Sequence, residues 1–496
     1  MPQPSQKHPK STLLKSRIVS CASLKQSKIW IASLLLFVCL ASCNVASAQD
    51  ALNAHLNTLL ALFSGNPSVG IVVKNLDTGK ILYALNANRS FVPGSTTKVL
   101  TATAALQFLG PQYQFPTSIA ISGKVDQSVL NGDVYINFNA DPSLQKQDLA
   151  QLLSQLSSKQ IQTISGNVYI NVGNAPTSQP APGYMWDDQH FCYAAPNSTV
   201  VIDHNCFHFT LQPGETIGAI ASLTSKNPLT FTSVNVQVRT QLDEQNSCDM
   251  QLQVDSQNAY QLTGCVPYQH PAFPFAVAVN NPRMLARQII RQWLTQQHIK
   301  LTGQVLTSHS TPSAAVLQTH YSQSLAQLLR HTLKTSDNLY ANNIFKTVGA
   351  VYTDQSANWL NGSKAVLDIL DSMGIDTKQV HLVDGAGLSR YNRFSPELLL
   401  NILQYNYTHP KIGQPFFHAL SIAGTDGTLK NFDWPIAQSS FHAKTGSMRS
   451  VACTVGYLHT PQGQNLAVVV MVNGIKNYRV YFALIHELLM TLAGLP

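Results

Sequence analysis

The stretch Phe91–Pro111, FVPGSTTKVLTATAALQFLGP, decides how the rest of the chain is read. Pro93 and Gly94 break the preceding chain, Ser95 stands at a helix entry, apolar residues recur through Leu109, and Gly110-Pro111 ends the helix. Ser95 and Lys98 are three apart, so on a helix they share a face with the amine within reach of the hydroxyl. A serine hydroxyl is a weak nucleophile until a neighbouring base takes its proton, and a lysine can be that base only if burial or a nearby cation lowers its pKa. The positive end of the helix adds to the field at Ser95. The pattern is weakly specific alone: Ser143 and Lys146 form another, which follows a proline in a turn with no buried helix start around it.

Two further motifs complete a set. Ser336-Asp337-Asn338 offers a hydroxyl to relay a proton and an amide to hold a substrate carbonyl. Lys444-Thr445-Gly446, the single Lys-Thr-Gly of the chain, lies on an expected strand. A lysine, a hydroxyl and a glycine with no side chain to block a ligand make a slot there for an extended peptide ending in a carboxylate. In the order helix, loop, strand, these three motifs are the set found in penicillin-binding proteins and class A β-lactamases.

Around them, Ser68 to Asn75 and Ile81 to Leu85 flank Asp77-Thr78-Gly79 as a hairpin. Residues 113 to 275 read as short strands with Gly, Asn and Asp turns. Gly132-Asp133-Val134-Tyr135-Ile136-Asn137 recurs as Gly166-Asn167-Val168-Tyr169-Ile170-Asn171, which suggests an inserted unit built from similar hairpins. Within it, Lys146 to Gln160 is the expected helix. Helical periodicity returns after Asn281-Pro282, at Leu325 to Leu333 and from Leu339. Three strands follow, Phe441 to Gly446, Val451 to Leu458 and Leu466 to Asn473, closed by an apolar helix from Val480 to Leu492 that lacks the basic face of a membrane anchor. The expected domains are therefore a leader at 1–48, a catalytic part at 49–112, β-rich inserts at 113–275 and a second catalytic part at 276–496.

The chain has 496 residues, 44% of them hydrophobic and 11% charged, ample for large buried cores. Its net charge of +8 comes largely from six basic residues ahead of the first acidic one, Asp50; without them 26 basic face 24 acidic residues, or +2. No basic run follows, so nucleic acid is excluded as a partner. Those charges precede an apolar run from Ile29 to Ser42 and small residues at Ala46 to Ala48, the layout of an export signal too short to span a bilayer as a permanent anchor. Leu40-Ala41-Ser42-Cys43 offers an alternative, a lipoprotein cleavage box leaving Cys43 lipidated instead of cleavage near Ala48. Beyond the leader, Cys192 with Cys206 and Cys248 with Cys265 could close short loops in an oxidising compartment, a pairing that spacing does not fix, while Cys453 is an expected buried thiol. His204, Cys206 and His208 alternate as ligands on one strand face would, but no fourth ligand is near and Cys206 suits a disulfide, so neither metal nor cofactor is expected.

With these motifs the sequence resembles the low-molecular-mass class C penicillin-binding proteins, the D-alanyl-D-alanine carboxypeptidase and endopeptidase family also called S13. Further matching stretches are Asn139-Ala140-Asp141-Pro142, Pro182 to Asp188 (PGYMWDD), Tyr193-Ala194-Ala195-Pro196, Asp384 to Arg390 (DGAGLSR) and Ala423 to Leu429 (AGTDGTL). The resemblance implies an α+β penicillin-recognising fold, an antiparallel sheet sandwiched by helices with two inserted domains. It implies attack by Ser95 on the carbonyl between two D-amino acids of a peptidoglycan stem or cross-link. Lys98 would be its base, Ser336 and Lys444 the proton path to the leaving amine, and Asn338 the holder of the acyl-side amide. Backbone N–H groups of Ser95 and Ser447 would form the oxyanion hole, and Thr445 with Lys444 would hold a terminal or β-lactam carboxylate. Asp141, Arg390 and Met448 would shape a pocket for the free end of the stem side chain. Arg390 could instead make a structural ion pair. Arg449 could draw a carboxylate or point into solvent, and Asp187 and Asp188 are expected to stabilise the fold beside Trp186. A β-lactamase is the alternative enzyme, disfavoured because no Glu sits in a Glu-x-x-Leu-Asn context to activate water; a catalytically silent wall-binding scaffold is disfavoured by the intact motifs.

Overall fold

The computed structural model describes residues 66–494 except 174–179, 226–232, 243–247, 311–312 and 436–439, together with residues 54, 56–58, 60 and 61. The expected leader, with Cys43 and Ala48, lies outside the described residues. Every element named below belongs to the unit Leu60–Pro496.

The catalytic sheet has six antiparallel strands, β1 (Ser68–Asn75), β2 (Ile81–Leu85), β3 (Ser421–Ile422), β4 (Ser440–Met448), β5 (Val451–His459) and β6 (Asn465–Asn473), in the order β3-β4-β5-β6-β1-β2. β5 and β6 are buried almost throughout, which explains their continuous apolar runs. Side chains alternate between the two faces of a strand. Val451, Cys453, Val455 and Tyr457 of β5 accordingly join a core of helices on one face, while Thr454 bonds Tyr481 of the C-terminal helix on the other at 2.7 Å. Burial pushes the Cys453 thiol up to about 12, so it stays protonated as a core residue.

Five helices of this part matter here: α1 (Lys98–Phe108), α2 (Leu325–Thr335), α3 (Asn338–Thr353), α4 (Pro396–Thr408) and α5 (Tyr478–Ala493). α1 is buried from Lys98 through Leu106, a helix enclosed on all sides rather than an amphipathic one. Ser95 precedes it on a 3₁₀ turn, Gly94–Thr97.

The inserted segment differs from the sequence expectation twice. Val134–Asn137 and Val168–Asn171, the two copies of the repeat, are not hairpins; they pair parallel and in register, Val134 opposite Val168, with helix Lys146–Ser158 crossing between them. Tyr135 stacks on Tyr169 at 5.0 Å as a result. A parallel pair needs such a crossover connection, and short VYIN runs carry no signal separating the two arrangements. The expected return to the catalytic part at residue 276 is also corrected. Helix Pro282–Gln296 packs in the insert's own core with Leu149, Leu152 and Leu153. Val305–Ser308 extends its parallel sheet, and Ala315–Tyr321 pairs antiparallel with the entry strand Pro116–Ile121, so the insert runs from about Pro116 to Tyr321. A third apolar cluster, including Phe209, Leu211, Val238, Leu262 and Phe275, holds the strands between Cys206 and Ala278. The cysteines pair as Cys192–Cys206 and Cys248–Cys265, with Cα atoms 5.5 and 5.0 Å apart.

Candidate active site

The Ser95 turn is held by a close backbone approach. Gly94 has φ of 54°, the left-handed region open to glycine, and a Cβ there would stand 3.4 Å from Ser447 N. A Cβ on Gly446 would stand 2.6 Å from Pro93 O and 3.0 Å from Ser95 N. The bare face of Gly446 is therefore filled by the Ser95 turn. This corrects its expected role: the bare face of Gly446 makes room for the backbone of the Ser95 turn, not for a ligand.

Lys98 is 1% exposed. Its Nζ lies 3.0 Å from Ser95 Oγ, 2.5 Å from Asn338 Oδ1 and 2.8 Å from Ala386 O. Two of these partners are carbonyl oxygens, which can only accept. Asn338 is fixed in that orientation because its Nδ2 donates to Tyr193 O at 2.8 Å. A neutral Lys98 thus commits both N–H bonds to Asn338 and Ala386 and aims its lone pair at the Ser95 hydroxyl. Burial lowers its pKa to about 7 against the raising pull of Asp384 and Asp337, so much of it is neutral at neutral pH.

Ser336 is at the α2 C-cap with φ of 61°, and Asp337 caps α3 by accepting from Tyr340 N at 3.0 Å. This sharp corner sets Ser336 and Asn338 beside the Lys98 and Lys444 amines. Lys444 is fully buried and donates to Ser336 Oγ at 2.9 Å and to Thr445 O at 2.6 Å. Burial, then the charge of Lys98, pushes Lys444 well below the usual lysine range. Thr445 Oγ1 donates to Thr428 Oγ1 at 2.8 Å, in the Ala423–Leu429 loop that Lys334 braces through Asp426 at 2.5 Å. The loop holding Ala386 is wound around the buried Asp384, which accepts from Gly387 N at 2.9 Å and Leu388 N at 3.1 Å.

The hydroxyl opens into a cleft of about 540 Å³ bordered by Ser95, Ser336, Asn338, Ser447, Met448, Arg390 and Arg449. Arg390, expected to shape the pocket, lines the cleft, and its Nη2 donates to Arg449 O at 3.2 Å, a backbone bond where the alternative was an ion pair. Asp187 and Asp188 border the cleft as well, with Asp188 accepting from Tyr193 OH at 2.7 Å, whereas Trp186 is 75% exposed. Asp188 thus braces Tyr193, while both aspartates also line the cleft and Trp186 is set apart from it. The expected place of Asp141 is corrected: it is 2% exposed, bonds Ser143 Oγ at 2.7 Å, faces His320 at 3.8 Å and is not among the cleft residues. Its Oδ1 accepts from Ser143 N at 2.8 Å as in an Asx turn, while the buried Oδ2 has no hydrogen-bond partner among the described residues. Ser143 is spent on this turn and Lys146 opens an insert helix, so the second Ser-x-x-Lys is inert. Sequence reasoning missed the Ala386 and Tyr193 carbonyls, since backbone acceptors leave no residue signature.

The D-Ala-D-Ala carboxypeptidase 3 (S13) family model matches residues 49–481. A D-alanyl-D-alanine carboxypeptidase DacB of Haemophilus influenzae is 29% identical over 85% of this chain and 88% of its own length. The crystal structure of penicillin binding protein 4 (dacB) from the same organism superposes with a TM-score of 0.82 at 28% identity, covering 88% of this chain and 99% of that one. A second structure of it, complexed with a β-lactam, gives 0.78 at 27% identity over the same shares.

Proposed function

The chain belongs to the D-Ala-D-Ala carboxypeptidase 3 (S13) family and is a serine-type carboxypeptidase hydrolase; from that premise we propose how its residues perform the reaction, and that it also cuts peptidoglycan cross-links as a D,D-endopeptidase. The observation that carries the reading is Lys98 Nζ set 3.0 Å from Ser95 Oγ with two carbonyl acceptors for its N–H bonds, which leaves its lone pair for the hydroxyl. Lys98 takes the Ser95 proton as Oγ bonds to the carbonyl carbon between two D-residues. The developing oxyanion rests on the backbone N–H groups of Ser95 and Ser447, the arrangement that usually contributes most to acyl transfer. The C–N bond then breaks, and a proton reaches the leaving amine through Ser336, which Lys444 holds at 2.9 Å. Thr445 and Lys444 receive the carboxylate of the leaving D-alanine or of a β-lactam. Water cleaves the resulting ester with Lys98 again as base. Asp187, Asp188, Arg390 and Arg449 all line the cleft, charges of both signs suited to the free amine and carboxylate of a stem side chain.

The partners are peptidoglycan stem peptides and β-lactams, and the place of action is the periplasm after export, by cleavage near Ala48 or with a lipid on Cys43. The test is covalent labelling by a fluorescent penicillin. A band on the native protein that Ser95→Ala abolishes supports the reading, and labelling that survives Ser95→Ala defeats it. Mass spectrometry of cross-linked muropeptides then reads the endopeptidase step as dimers becoming monomers, and intact mass of the protein from cells distinguishes the two leader fates.

A further inference from the structure

Three side chains that the reaction does not use converge behind the Ser336 corner. His204 comes from the insert, at φ of 59°; His331 lies on α2; Asp337 caps α3. Their ligand atoms all lie within 4.8 Å of one another. His331 Nε2 is 3.2 Å and His204 Nε2 3.6 Å from the same oxygen, Asp337 Oδ2. The longer distance is no hydrogen bond. Both are close to the spacing of two ligands on one tetrahedral ion, about 3.3 Å for bonds of about 2.0–2.1 Å.

The site is also oriented and open. Asp337 Oδ1 is held by Tyr340 N at 3.0 Å, which leaves Oδ2 for the histidines. The Tyr340 ring lies against both imidazoles, 5.3 Å from His204 and 4.5 Å from His331, and limits their rotation. The histidine side chains are 42% and 39% exposed, so an ion and a water can enter. Two imidazoles with one carboxylate suit zinc-class ions and not calcium or magnesium, which take all-oxygen sets.

Its position gives it a consequence. The Cys192–Cys206 disulfide closes a loop whose two ends approach the side chains of neighbouring residues, Asn338 and Asp337. Tyr193 O accepts from Asn338 at one end, and His204 reaches Asp337 at the other. We propose that His204, His331 and Asp337 bind a divalent zinc-class ion, with water as the fourth ligand, and that the ion fastens the disulfide loop of the insert onto the Ser336–Asn338 corner. The set shares only His204 with the His204, Cys206 and His208 alternation, from which no metal site is expected, and it is assembled from three elements.

The test uses the full protein without a histidine tag, stripped with EDTA and titrated with zinc by calorimetry. One equivalent should bind with micromolar affinity, raise the melting temperature by a few degrees, and slow hydrogen exchange in residues 192–206 at least about threefold. Calcium should do none of this. His204→Asn, which tolerates the left-handed backbone, and His331→Gln should each weaken binding at least about tenfold while penicillin labelling of the metal-free variants confirms that they are folded. No binding at 100 µM zinc (about a hundred times the expected Kd), or undiminished binding in the double variant, overturns the proposal. So does zinc that binds with no change in exchange of the loop.

Discussion

Lys98 reaches the first residue of α3 through Asn338, and Lys346 lies about two turns further along the same helix. Both are buried, and burial lowers both, to about 7 for Lys98 and about 8 for Lys346. Their neighbours differ. Lys346 donates to Asn197 O at 3.2 Å and sits 5.0 Å over the Trp359 ring, a cation set between an insert carbonyl and an aromatic face. Lys98 has two carbonyls that claim its protons and a hydroxyl in the third direction. A lowered pKa is therefore common to Lys346 and to Lys98, the proposed base, and only the arrangement of acceptors distinguishes them.

The sharpest way to break this comparison is to remove each amine in turn. Lys98→Met should slow acylation by a fluorescent penicillin about 10³-fold or more, the scale of a lost general base, whereas Lys346→Met should stay within about threefold of the native rate. Equal losses would mean that the acceptor pattern does not matter. Gly446→Ala tests whether the backbone approach that presents Ser95 to Lys98 is as tight as it looks. With a Cβ 2.6 Å from Pro93 O, the turn must shift, and acylation should fall about 10- to 100-fold with the protein still folded.

The pH profile sharpens the comparison further. Only neutral Lys98 accepts the proton, so acylation should rise with pH and level off above about 7. At pH 6 it should stand about tenfold below the plateau, a one-unit interval below that pKa. Lys346→Met should leave this profile unmoved. A profile flat from pH 5 to 9 would remove Lys98 as base.

The smallest effect is on stability. Lys346 is about 8 in the folded chain against 10.5 ordinarily, so between those values the unfolded chain binds more protons and stability rises with pH. Lys346→Met lacks this group. The melting temperature of the native protein should therefore gain on that of Lys346→Met by a few degrees from pH 7.5 to 10. A constant difference would show that the amine is not buried as a charge below pH 8.

Much of the site was legible because catalysis by side chains uses residue types that stand out in order and spacing. Ser95, Lys98, Ser336, Asn338 and Lys444 were all marked by their three short motifs, and the structure holds them in two hydrogen-bonded groups, Lys98 with Ser95 and Asn338 and Lys444 with Ser336, linked through the Ser336–Asn338 backbone. The hairpin, the helices and the closing strands were legible from periodicity, since each buries one recognisable pattern. Asp141 was misassigned because an acidic residue beside a proline looks alike in a turn and in a pocket. Helix Pro282–Gln296 was given to the wrong part because an amphipathic face does not say which core it covers.

The amino-acid order by itself marked Ser95 as the candidate nucleophile, the amines beside it and the segments that form the hairpin and the closing strands. These follow from local chemistry and from the burial period of single segments. Tertiary structure alone decided the rest: that Ala386 O orients the Lys98 lone pair, that Gly446 serves the Ser95 turn, that the repeated VYIN strands run parallel, and that His204 meets His331 and Asp337. Each of these depends on atoms brought together from distant positions, many of them backbone atoms shared by every residue type, and no local pattern encodes where such atoms will meet.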